Sequence, residues 1–205
     1  MPLAIPHPDD EPTRHRILRV SAGLFRQSGY PAVSMRRIAD ACGMTAGSIY
    51  HHFPSKDDIV AAVLNLGTDA VGEAVSAAIS DTTNEPAALR IRRAIHAHLR
   101  ALHEHSDFTS ANVRIFGQLP DPVRTRNLES RRRYEKLWDR FLSDLKIRGG
   151  IRTDMPVEAM RLLLIGALNA TLEWFDPHKG TVEALANRYS DLLLNGFLPS
   201  DRVST

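Results

Sequence analysis

Two stretches of the chain hold side chains that could do chemistry. One is Thr45-Ala46-Gly47-Ser48-Ile49-Tyr50-His51-His52, where hydroxyl, imidazole and glycine positions crowd together. Hydroxyls and the orphan amides of a helix start can bind phosphate, and small residues let a backbone approach a nucleic-acid groove. The other is the group His96, His98, His103 and His105, drawn from nine histidines in all. A zinc helix sets its ligands at i and i+4 and needs further ligands elsewhere. His103-Glu104-His105 lacks that spacing, and no second cluster accompanies His98, Leu102 and His105 on their shared face. These histidines therefore read as solvated or pocket-lining. Serine-nucleophile, phosphate-loop and dinucleotide motifs are missing too. Neither metal, cofactor nor catalysis is expected.

The elements around the first stretch are written in its caps. Ser34 is a good N-cap, and Met35, Ile38, Ala39 and Cys42 follow at helical spacing. Gly43 ends that helix, and Thr45 caps a second, very short one. Ile49 and Phe53 form its buried side, and Ser55 caps a long helix opening at Lys56. Two short helices about a glycine turn read as a helix-turn-helix whose second helix enters the major groove. Thr45, Ala46, Gly47, Ser48, Tyr50 and His51 would face the DNA. Charge supports this: residues 13–56 hold Arg14, Arg16, Arg19, Arg26, Arg36, Arg37 and Lys56 against Asp40 alone, although the whole chain carries only +2.

A chain of 205 residues, 43% apolar and 24% charged, suits one or two globular domains. Its single cysteine, Cys42, excludes an internal disulfide framework and fits a reducing cytoplasm. The longest apolar run, Leu162 to Leu168, is too short to span a bilayer, and no signal peptide is seen. Residues 1–12, with four prolines and an acidic cluster, read as a disordered arm. Residues 13–55 then form the DNA-binding domain and 56–198 a helical ligand-binding and dimerisation domain. Helices are expected from Thr13 to Ser28, Ser55 to about Ser80, Ala87 to Glu104, Phe108 to Gln118, 122 to 148, Val157 to Phe175 and Thr181 to Gly196. No segment alternates with the period of a strand, so the fold class is all-α.

Most bulky aromatics lie after residue 100, as an apolar pocket between helices would need. His98, Leu102, Phe108, Asn112, Phe116, Trp138, Asn169 and Trp174 are the candidate lining residues, with Arg114 and Gln118 as further polar groups. The last two helices are apolar round much of their circumference. Gly166, Ala167 and Ala170 offer a flat surface for close approach of a second copy.

The run MRRIADACGMTAGSIYHHFPSKDDIV resembles the TetR family of one-component bacterial transcription regulators. The match covers Ser34, Ile38, Ala39, Gly43, Met44, Thr45, Gly47, Ile49, Tyr50, His52, Phe53, Ser55, Lys56 and Asp57, and departs at Cys42, where alanine is commoner. The resemblance implies a first helix packed across the helix-turn-helix and a dimer formed by the last two helices. More finely, Arg133-Tyr134 with Trp138, Gly150 to Asp154, and Leu168 to Phe175 resemble members that sense acyl-CoA thioesters. This chain has Glu173 where several of those carry a basic residue; Arg131, Arg132 or Arg161 would have to take its place.

Together these expectations describe a homodimeric repressor of palindromic operator DNA, released by a small apolar effector, possibly an acyl-CoA thioester. Ser34, Arg36, Thr45, Tyr50 and Lys56 are the expected phosphate contacts. Two other classes stay open on the residues alone: a helical binding protein or enzyme with an incidental hairpin, and a nonspecific DNA-binding protein without an effector.

Overall fold

The computed structural model describes residues 12–104 and 107–195, and within them every regular element is helical. The order is α1 (Thr13–Ser28), α2 (Met35–Ala41), α3 (Ala46–His52), α4 (Lys56–Ile79), α5 (Ala87–Glu104), α6 (Asp107–Ile115), α7 (Asp121–Ile147), α8 (Val157–Trp174) and α9 (Val182–Asn195). The arm up to Glu11, His105 and the last residues of the expected C-terminal domain lie outside the described residues. The all-α expectation holds. One helix is shorter than expected: α6 stops at Ile115, and Phe116–Gln118 tighten into a 3-10 turn. Gly117 is a poor helix former and Pro120 bars continuation, so the amide of Leu119 closes back on the Phe116 carbonyl at 3.4 Å.

Apolar side chains gather in two clusters that α4 joins. The first packs Ile17, Leu18 and Phe25 of α1 with Ile38 of α2, Ile49 of α3, and Ile59, Val63 and Leu64 of α4. It also takes in Phe108, Ala111 and Ile115 of α6, then Leu119 and Val123. The core of the DNA-reading unit thus runs past the expected boundary at residue 55, because three short helices cannot close a core alone. The second cluster packs Val71 and Val75 of α4 with Ile95 and Leu99 of α5, Trp138 and Leu142 of α7, Leu168 of α8 and Leu185 of α9. By length and composition α4 could cross a membrane, yet its apolar side fills both clusters.

Candidate nucleic-acid interface and ligand cavity

Caps set the reading helix. Ser34 Oγ accepts the Arg37 amide at 3.2 Å, opening α2. At its end Gly43, with φ +63°, lets the Met44 amide reach the Ala39 carbonyl at 2.9 Å and its own amide reach Asp40 at 3.1 Å. That left-handed closure turns the chain directly into α3. Thr45 Oγ1 accepts the Ser48 amide at 3.2 Å, and its hydroxyl lies 2.9 Å from that of Ser48. Ser55 closes the motif: its Oγ accepts the Asp58 amide at 3.2 Å and donates to Asp58 Oδ2 at 2.6 Å.

Ile49 and Phe53 are buried, which leaves Thr45, Ala46, Gly47, Tyr50 and His51 exposed, with Ser48 partly so. A Cβ at Gly47 would meet nothing nearer than Thr45 Oγ1 at 3.9 Å. The fold does not require glycine there, and its effect is to keep the outer face low. Ser34 and Arg36 are exposed beside this face.

Lys56, an expected phosphate contact, is half-buried and held by neighbours of its own. Its ammonium donates to the Tyr30 carbonyl at 3.0 Å and sits 3.8 Å from the centre of the Tyr30 ring. Partial burial lowers its proton affinity. Tyr30 in turn donates to Asp57 Oδ1 at 2.6 Å, and burial together with that carboxylate pushes its pKa up to about 12. Lys56 therefore braces the turn after α1 against α4. Other basic residues of this region, though exposed, also hold partners within the fold. Arg37 donates to Ser28 Oγ at 2.9 Å, and Arg26 pairs with Asp107 at 2.8 Å. The net charge of a stretch does not say which of its cations face outward.

The second site is a partly open cavity of about 380 Å³ lined by α4, α5, α6, α7 and α8, within the range of small-ligand sites. His98, Leu102, Asn112, Phe116 and Asn169 line it. Three other candidates lie elsewhere. Trp138 is wholly buried in the second cluster, Phe108 belongs to the first, and Trp174 is 55% exposed and stacks on Tyr189. Gly166 stands at the cavity rim. Arg114 donates to the Leu172 carbonyl at 2.9 Å, and Gln118 accepts the Tyr30 amide at 3.1 Å, so both tie helices together.

His98 is the buried polar centre of the cavity. Asn169 Oδ1 can only accept, so His98 Nε2 donates to it at 3.1 Å. Nδ1 then accepts the Tyr134 hydroxyl at 2.5 Å. Burial pulls the histidine pKa down to about 4, which holds this neutral tautomer. Asn112 donates to the Leu64 carbonyl of α4 at 2.7 Å and to Thr68 Oγ1 at 2.6 Å. Thr68, Tyr134, Arg131 and Arg161 also line the cavity. Thr68 and Tyr134 could have been suspected as lone polar positions on the apolar sides of α4 and α7. The remaining described histidines of α5 bond across helices, His96 to Asn187 at 3.0 Å and His103 to Thr171 at 2.8 Å. Among the described residues no three His, Cys, Asp or Glu side chains converge to hold a metal.

A capped, outward-facing reading helix joined by one long helix to a body with a ligand-sized cavity is the build of a helix-turn-helix regulator. Comparison with known proteins agrees. Residues 17–63 match the family model described as "Bacterial regulatory proteins, tetR family", and residues 84–197 match "Tetracyclin repressor-like, C-terminal domain". The chain belongs to the TetR family of bacterial transcription regulators. It is 28% identical over 193 residues to the HTH-type transcriptional repressor KstR2 of Mycolicibacterium smegmatis, covering 91% of each chain. Among solved structures it resembles the TetR family regulator PfmR from Thermus thermophilus, with TM-score 0.78, 28% identity and coverage of 90% of this chain and 100% of that one. The fold is shared with AibR, solved in complex with isovaleryl coenzyme A and operator DNA, at TM-score 0.79, 24% identity and coverage of 91% and 100%.

Proposed function

We propose that the protein is a homodimeric, cytoplasmic repressor that holds a palindromic operator through its two reading helices and releases it when a small, largely apolar effector fills the cavity. The observation that carries this reading is the two-sidedness of α6. Phe108, Ala111 and Ile115 pack into the core of the DNA-reading unit, while Thr109, Asn112 and Val113 line the cavity. A ligand that moves α6, or breaks the Asn112 bonds to α4, moves the reading heads. Release requires that the effector bind the non-operator conformation more tightly than the operator-bound one.

The last two helices supply the second copy's seat. Leu163 is 60% exposed and Trp174 55%, and Ala167 and Ala170 fall between them on the same stripe of α8. Likeness to AibR, solved with isovaleryl coenzyme A, supports an acyl-CoA thioester as the effector class. Selection from a randomised DNA library at moderate salt, with sequencing of the bound fraction, tests the reading. An enriched palindrome, released by acyl-CoA thioesters, is the expected result; binding with no preferred sequence would refute it. On the selected operator, Arg36→Ala should weaken all sequences alike and reduce the salt slope by about one, whereas His51→Ala should relax base preference.

A further inference from the structure

Taking the cavity as the effector site, we infer that Arg131 anchors an anionic group, so that the effector carries a carboxylate or phosphate beside its apolar part. Three charged side chains line the cavity: Arg131 and Glu135 from α7 and Arg161 from α8. Arg161 is spoken for. Its Nε donates to Asp139 Oδ1 at 2.8 Å, and Glu135 Oε1 lies 4.0 Å from its Nη1. The neighbouring Arg133 is paired as well, with Asp69 at 3.0 Å and Glu129 at 3.2 Å. Arg131 differs: among the described residues it makes no hydrogen bond and no ion pair. Glu135, one turn along α7, attracts it through space without bonding it.

What holds Arg131 is Phe116, whose ring centre lies 3.9 Å from the guanidinium carbon. That contact covers a face of the group and leaves its five in-plane donors along the edge. A planar or tetrahedral oxyanion can take two of them at once, which a lysine ammonium cannot match. The other polar groups of the cavity are neutral and already bonded, His98 between Tyr134 and Asn169, and Asn112 to α4. Arg131 is thus the cavity's cation without a bonded partner. Its partial burial makes a charge-assisted bond there stronger than on an open surface, about 10- to 100-fold in affinity.

The test uses the full-length protein and three probes of one chain length: dodecanoate, dodecanoyl-CoA and dodecan-1-ol, titrated calorimetrically below their micelle concentrations. At least one anionic probe should bind about 10-fold or more tighter than the alcohol. Arg131→Gln should abolish that preference with the alcohol's affinity unchanged, and Arg131→Lys should restore part of it. Phe116→Leu, which removes the platform and keeps the arginine, should weaken the anionic probe alone. A preference for dodecanoate assigns the anion as a carboxylate, and one for dodecanoyl-CoA assigns it as phosphate. Equal binding of alcohol and anions, or a preference that survives Arg131→Gln, overturns the assignment while leaving the cavity as an apolar effector site. Failure of all three probes to bind overturns both.

Discussion

Helices α4 and α6 cross at Gly67 so closely that a methyl group there has no room. A Cβ on Gly67 would stand 2.3 Å from the Phe108 carbonyl oxygen, 2.8 Å from its carbon and 3.2 Å from the Thr109 amide. These are backbone atoms and cannot rotate aside. Ordinary contact needs about 3.5 Å, so Gly67→Ala must push the start of α6 back by about 1 Å. Alanine's helix propensity returns about 1 kcal/mol, overpacking costs about 1–3 kcal/mol, and stretching the Asn112 bond to the Leu64 carbonyl costs about 1 kcal/mol more. The net loss is about 1–3 kcal/mol, and each kcal/mol lowers Tm by about 2–4 °C in a chain of this size. Gly72, five residues further along α4, is the control. Its Cβ would meet only Tyr134 Cδ2 at 3.5 Å, an ordinary contact. Gly72→Ala should therefore raise Tm, gaining up to about 1 kcal/mol from propensity. Circular dichroism melts and urea titrations of both variants give the comparison. If Gly67→Ala is as stable as Gly72→Ala, the close crossing is not what holds α6 to α4.

Two further outcomes follow from named side chains. His98 has its pKa pulled down to about 4 by burial, with His103 adding to the shift, whereas in the unfolded chain it titrates near the ordinary value of about 6.5. Between those values the unfolded state binds the extra proton. The contribution is fully present above about pH 6.5 and is lost as pH falls through the window, by up to about 3 kcal/mol. Urea midpoints between pH 7 and 5 should fall more steeply for the native chain than for His98→Gln; equal slopes would show that His98 is not held neutral by burial. On α8, Leu163→Glu should turn the proposed dimer into monomers by sedimentation, while Leu89→Glu, at a side chain 42% exposed on α5, should not. A dimer surviving Leu163→Glu would place the subunit contact elsewhere.

How legible each part was follows from how local its code is. Ser34, Gly43, Thr45 and Ser55 each act on amides within three or four residues, so the helix-turn-helix could be read almost residue by residue. The cavity is a different case. His98 and Leu102, four apart on α5, were legible together because one face of that helix carries both. Trp138 was not, because α7 has a side toward the second cluster and a side toward the cavity, and both accept large residues. Periodicity says which side chains share a face but not what the face looks at. Phe108 likewise turned to the first cluster, since the two sides of α6 serve two different cores. The bond of Lys56 to the Tyr30 carbonyl could not be read locally, because that partner is 26 residues away.

The two joints that hold α4 differ along its N-terminal part. Toward α6 it is fixed by the Gly67 crossing, by Leu64 and Ile115 in one apolar cluster, and by the buried amide of Asn112. Toward α7 polar pairs join the apolar packing of Val71 and Val75 on Trp138 and Leu142: Asp58 meets Arg126 at 2.7 Å, Asn65 meets Asn127 at 2.8 Å and Asp69 meets Arg133 at 3.0 Å. The two ion pairs, open to solvent, contribute about 0–1 kcal/mol each and exchange readily with water. Close-packed apolar contacts do not yield by degrees, since a gap of under about 1 Å already forfeits much of their attraction. A load applied inside the cavity therefore meets less resistance from these polar pairs, which lie along the N-terminal part of α4, than from the α4–α6 crossing. The N-terminal part of the long helix should move with α6, pivoting about Val71 and Val75 where they pack on α7 and carrying the reading head with it.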